Sequence, residues 1–138
     1  MTTTRNNRKL WSRGQGMVEF AFSITAFLFL VMGTIDSARV IYAHNFVSYA
    51  AREATRYAAV HGSLAVKPAA ASDITTLVKS EVHGMDPSAV VVTTTWTPDN
   101  KPGSVVKVQV KYTWNFATMF YNFAPLTLSA TSQMVIDN

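Results

Sequence analysis

Residues 17–35 read MVEFAFSITAFLFLVMGTI, and this run decides the architecture. At about 1.5 Å per residue it makes a helix of roughly 28 Å, close to the thickness of a hydrocarbon core. Its only charge is Glu19, near the start. Phe20, Phe22, Phe27 and Phe29 project in several directions around a helix, so the segment is apolar on all sides rather than amphipathic. Lipid or a packed filament interior asks for that pattern. The positions Met17 and Ile35 therefore bound an expected transmembrane helix. Arg5, Arg8, Lys9 and Arg13 precede it without one acidic residue, and Asp36 follows it. The positive-inside rule then puts the N-terminus in the cytoplasm and the remainder outside, as a single pass. A cleaved secretory signal would need a shorter apolar run and a small-x-small site, and Val31-Met32-Gly33 is a poor one.

Outward from this run, composition narrows the function classes. The chain has 138 residues, 49% apolar and only 14% charged, which argues against a disordered tail. It contains no cysteine, which excludes a disulfide framework, a thiolate zinc site and a cysteine nucleophile. The net charge is +4. Four basic residues belong to the first fourteen positions, and beyond them eight basic groups balance eight acidic ones. The body of the protein thus has no footprint for phosphate, and no nucleic-acid partner is expected.

Past the apolar run, residues 36–61 contain no Gly or Pro and are dense in alanine. Val40, Ala43, Val47, Ala50, Ala54 and Tyr57 recur at a 3-4-3-4-3 spacing that makes one helical stripe. Asn45, Ser48, Arg52 and Arg56 fall on another face, and Gly62 supplies a C-cap. One helix of roughly 70 Å is expected from about Gln15 to His61, amphipathic only in its upper half. Residues 63–71 read as a loop. Ser72-Asp73 reads as the N-cap of a short helix, ITTLVKSEVH, ended by Gly84.

After Asp86-Pro87 the period changes to two. Val90, Val92, Thr94 and Trp96 alternate along a first strand, and Pro98-Asp99-Asn100-Lys101-Pro102-Gly103 is a turn. Val106, Val108, Val110, Tyr112 and Trp114 line one face of a second strand, with Lys107, Gln109 and Lys111 on the other. Residues 115–125 are aromatic and irregular. Leu126, Leu128, Ala130, Ser132, Met134 and Ile136 give a third strand. Residues 62–138 alone have a marginal core, so the amphipathic half of the long helix is the element expected to cover the sheet. The expected fold is α+β: a basic cytoplasmic leader (1–14), a long N-terminal helix (15–61) and a small extracytoplasmic head (62–138). The head holds an antiparallel sheet of three to four strands and one short helix.

The residues do not assemble a catalytic constellation. His44, His61 and His83 lack metal-ligand spacing, the acidic residues are scattered, and no serine has a nucleophile-elbow context. No enzyme, metal site or cofactor is expected. The informative stretch is the junction at residues 13–20, RGQGMVEF. A basic leader ends in Gly14, and Glu19 and Phe20 are the fifth and sixth residues after it. That is the arrangement of a class III signal, in which a leader peptidase cuts on the cytoplasmic side between Gly14 and Gln15 and leaves the apolar helix attached. A carboxylate near the bilayer is costly unless paired. Cleavage would create an α-amino group on Gln15 able to pair with Glu19 of a neighbouring subunit. In the plainer reading, Glu19 lies at the interface and reaches water.

RGQGMVEFAFSITAFLFLVMGTIDSARVIYAHN followed by AAREATRYAAVHG resembles the TadE-like family of pilin-related proteins from tight-adherence (Flp) pilus systems. The resemblance rests on Gly14-Gln15, Glu19-Phe20, Gly33, Asp36, Arg39, Ala51-Arg52-Glu53 and Arg56-Tyr57-Ala58, and covers residues 13–62. It implies a minor pilin or pseudopilin that is processed by a prepilin peptidase and takes part in pilus assembly or adhesion. Its expected partners are the lipid bilayer, that peptidase, other pilin subunits and the assembly machinery. The alternative is a permanently membrane-anchored binding module whose head takes an envelope ligand through its aromatic loop.

Overall fold

The computed structural model describes residues 5–114 and 125–137, with side chains from residue 14 onward. In chain order it has α1 (Arg5–Val60), α2 (Ala71–Ser80), a 3-10 turn at Pro87–Ala89, β1 (Val90–Thr97), β2 (Val105–Trp114) and β3 (Leu126–Val135). The strands form an antiparallel sheet in the order β1-β2-β3. The fold is α+β, as the sequence predicts. The chain divides into two compact units, Met1–Ala38 and Arg39–Asn138.

In the first unit the described residues are helical. Their large apolar side chains are exposed, Phe22 at 74% and Phe29 at 68%. The helix begins at Arg5, ahead of the expected start near Gln15. No proline interrupts residues 5–14, and a helical glycine costs only about 1 kcal/mol relative to alanine.

In the second unit β2 is the central strand. Val106, Val108 and Val110 are fully buried and Tyr112 nearly so, while Lys107 and Lys111 are exposed on the other face. Val108 pairs with Thr94 on β1 and Ser132 on β3. Against this apolar face lie Ala43, Phe46, Val47, Ala50, Ala51, Ala54, Ala58 and Ala59 of α1, in one core cluster with Ile74 and Val78 of α2. Alanine has no side chain beyond Cβ, so a helix that buries this many of them can approach its neighbours closely while losing little rotamer entropy. The one buried hydroxyl on that face, Thr55, donates to the Ala51 carbonyl at 2.7 Å, which removes the cost of an unpaired polar atom.

Local details depart from the sequence reading in three places. The short helix starts at Ala71, not after Ser72-Asp73. Asp73 is its third residue, and the carboxylate accepts the Ala70 N–H at 3.3 Å. Gly62 is not a left-handed cap, since positive φ among the described glycines occurs at Gly84 and Gly103. The end of α1 is closed by other groups: the His61 N–H donates to Tyr57 O at 3.1 Å, and the His61 carbonyl accepts the Ala69 N–H at 2.8 Å. Met134, on the inward side of β3, is 44% exposed, because an edge strand lacks a neighbour to cover it. The aromatic stretch at 115–125 lies outside the described residues except for Pro125.

The turn between β1 and β2 is held by Asp99. Its carboxylate accepts the Ser104 hydroxyl at 2.7 Å and the Lys101 N–H at 3.1 Å, with Lys101 Nζ at 3.3 Å. Gly103 closes the turn at φ +87°, which side chains rarely adopt. The Ser104 hydroxyl first, then the Lys101 backbone and side chain, hold the Asp99 carboxyl below its ordinary value. A folded-state value below the unfolded one means that the contribution is present above the ordinary carboxylate range and is lost as pH falls through the folded value. Thermal unfolding of the full chain in detergent should therefore show stability falling as the pH is lowered below about 4. Asp99→Asn should make that slope shallower; an unchanged slope would show that the turn carboxylate is not linked to folding.

Candidate functional site

The sequence points to the junction between the basic leader and the apolar helix, so that segment is built up first. Gly14, Gln15, Met17, Glu19 and Phe20 all lie on α1 and are all exposed. Gln15 and Glu19 are one helical turn apart, so they share a face. A Cβ built on Gly14 would meet nothing within 4 Å, and the same holds for Gly16 and Gly33. Helical glycine carries an entropic cost. Among the described residues, packing does not require glycine at position 14. Among the described residues Glu19 makes no hydrogen bond or ion pair. The structure brings these residues onto one stretch of helix.

Downstream, the run ending at Ile35 is built as lipid requires. The hydroxyls of Thr25, Thr34 and Ser37 donate to the carbonyls four residues back, at 2.7, 2.9 and 2.8 Å. That bonding keeps polar side chains satisfied where water is absent. α1 is long and apolar enough to cross a membrane: its most apolar window has mean hydropathy 2.0 and none of that window is buried. A soluble core helix of similar composition would be covered. One N-terminal apolar helix of this kind suggests membrane anchoring.

The Ala-Arg-Glu stretch behaves differently. Ala51, Ala54 and Ala58 face the core, whereas Arg52 and Arg56 are exposed. The Arg56 guanidinium donates to both Glu53 oxygens, at 2.6 and 3.1 Å, and this holds the Glu53 carboxyl below its ordinary value. A pair this exposed adds little stability. Its consequence is to keep a charged face on α1 opposite the alanine face.

Sequence reasoning missed one feature. A cavity of about 510 Å³ opens between α1, the segment around Asp86 and the end of β2. Its lining comes from three distant stretches of sequence with no shared motif, so only the fold reveals it. Among the described residues no group of three or more His, Asp and Glu could hold a metal ion.

A family model described as TadE-like protein matches residues 14–56, the stretch that spans the junction, the apolar run and the alanine face. No curated protein and no solved structure matches the chain. The match spans less than half of the chain and shows what residues 14–56 resemble.

Proposed function

We propose, proceeding from the TadE-like match over residues 14–56, that this chain is a minor pilin or pseudopilin made as a precursor. Residues 1–14 form a cytoplasmic leader, and residues 17–35 hold the protein in the inner membrane with the head outside. A prepilin peptidase removes the leader after Gly14, and the mature subunit joins or primes a pilus with other pilin subunits and the assembly machinery. The observation that carries this reading is Gly14: open space surrounds it, so its own fold does not need glycine there. A peptidase that must draw an extended segment into its active site does need a small residue. The orientation is supported by the four basic residues on one side of the apolar run.

Glu19 is the second support. It sits close to the cytoplasmic end of the run without a partner among the described residues, where an isolated carboxylate is costly. The amine released on Gln15 by the cut supplies a positive charge at the right depth. The test is the mass of the protein purified from its native membrane. The expected mass lacks residues 1–14, and an N-terminus at Met1 would favour the permanently anchored binding module instead.

A further inference from the structure

β3 (LTLSATSQMV) is an edge strand of ten residues with no charge, proline or glycine. Its register with β2 runs unbroken from Leu126 to Val135, so no bulge turns it aside. Charges, prolines and bulges are the devices that keep an edge from pairing with other chains, and β3 has none of them. The two edges of the sheet also differ. α2 packs against β1, whereas among the described residues no strand or helix lies beyond β3. We propose that β3 is a self-association edge, pairing antiparallel with β3 of a second copy of this chain about a two-fold axis at Ala130. The inference goes beyond the pilin reading and does not depend on it.

The backbone at this edge is set for such a pairing. Just past β3 the Ile136 N–H donates to Ser104 O at 2.9 Å, on the β2 side, while the Asp137 N–H turns away to Ala59 O at 3.2 Å. Backbone groups alternate sides along a strand. Thr127, Ser129, Thr131 and Gln133 therefore present their N–H and C=O groups at the open edge. With the axis at Ala130, Ser129 faces Thr131 of the second copy and Thr127 faces Gln133. Each of these pairs can exchange two hydrogen bonds.

The same register sorts the side chains, which is why a second copy fits better than an unrelated strand. The even-numbered residues take the inward face, where Leu128 and Ala130 pack on the core. Leu126, 39% exposed, then meets Met134, 44% exposed, and Leu128 meets Ser132. On the outward face hydroxyls and an amide oppose one another, and no like charges meet. Ala130 opposes itself as a non-hydrogen-bonded pair with Cα atoms about 4.5 Å apart, and its single methyl permits that approach. Every contact is reciprocal, as a two-fold interface requires. The joined sheet ends in β1 on both sides, so the assembly closes at two. β2 and its counterpart lie three strand spacings apart, about 14 Å. Packed helices need only about 8–10 Å, so the alanine face of α1 over each β2 leaves room for the other.

The test uses the full chain in detergent, in which sedimentation should show a dimer. The chain has no cysteine, so single substitutions report the register. Ala130→Cys should cross-link two copies on mild oxidation, because Cα atoms about 4.5 Å apart are within reach of a disulfide. Thr127→Cys, which faces Gln133 and not itself, should stay uncross-linked. Ser129→Glu with Thr131→Glu sets like charges opposite each other across the axis and should weaken the dimer by about tenfold. Ser129→Glu with Thr131→Lys makes those pairs opposite in charge and should restore it. Both positions are exposed, and circular dichroism checks that the head stays folded. A chain that stays monomeric overturns the proposal. So does equal cross-linking of the two cysteine variants. A dimer that the two glutamates leave unchanged overturns it as well, since association then lies elsewhere, as on the apolar helix. None of these outcomes alters the mass of the mature protein, so the pilin reading stands or falls separately.

Discussion

Val108→Asp should abolish the folded head. Val108 is fully buried on the central strand, flanked by Thr94 and Ser132 and opposed by the alanine face of α1. An unpaired carboxylate there costs several kcal/mol, against a total stability for a domain of this size of about 5–15 kcal/mol. The expected observation is loss of the near-ultraviolet circular dichroism signal and rapid proteolysis of the head in the full chain. Lys107→Asp, one residue away on the exposed face, should leave both nearly unchanged. Equal damage from the two substitutions would mean that β2 is out of register by one residue, which would exchange its faces.

The second large effect concerns the junction. Gly14→Leu should leave the precursor at full length in the membrane, because a bulky side chain next to the cut blocks the peptidase while the helix itself has room for it. That separation makes the experiment clean: a defect cannot be blamed on misfolding of α1. Glu19→Ala should be cut normally and yet fail to enter pili, since in the proposed function Glu19 pairs with a Gln15 amine that only processing would release. Mass spectrometry reads the first outcome and pilus yield the second. A Gly14→Leu protein shortened by fourteen residues would refute the class III signal. Normal assembly of Glu19→Ala would reduce Glu19 to an interfacial carboxylate.

The parts of this protein that were legible in its sequence are those governed by one strong periodicity. The alternation from Val106 to Tyr112 reports burial on β2 residue by residue, because a central strand has neighbours on both sides. The same alternation overstates burial at Met134, since periodicity reports which face a residue takes and not whether that face is covered. The apolar run at 17–35 was readable because nothing polar competes with it. Helix ends were less so. Ser72-Asp73 has the composition of a cap, but Asp73 acts from inside the helix on the Ala70 N–H, and Gly62 yields to hydrogen bonds made by His61 and Ala69. The cavity was invisible in the sequence, because Arg39, Asp86 and Trp114 come together only through the packing of three separate segments.

The C-terminal end of β3 carries a consequence for biogenesis. Gly103 and Ser104 exchange backbone hydrogen bonds with Ile136, Ile136 is buried in the core, and the Asp137 N–H donates to Ala59 O at 3.2 Å. The last residues of the chain thus close a core whose first member is Ala43. Synthesis proceeds from the N-terminus, so the helix face is made well before β3, which completes its cover. Contacts this distant in sequence form slowly. Until β3 arrives, the valine face of β2 and the alanine face of α1 are open to other chains. The head therefore completes its core late, and its unfinished form exposes apolar surface that favours aggregation.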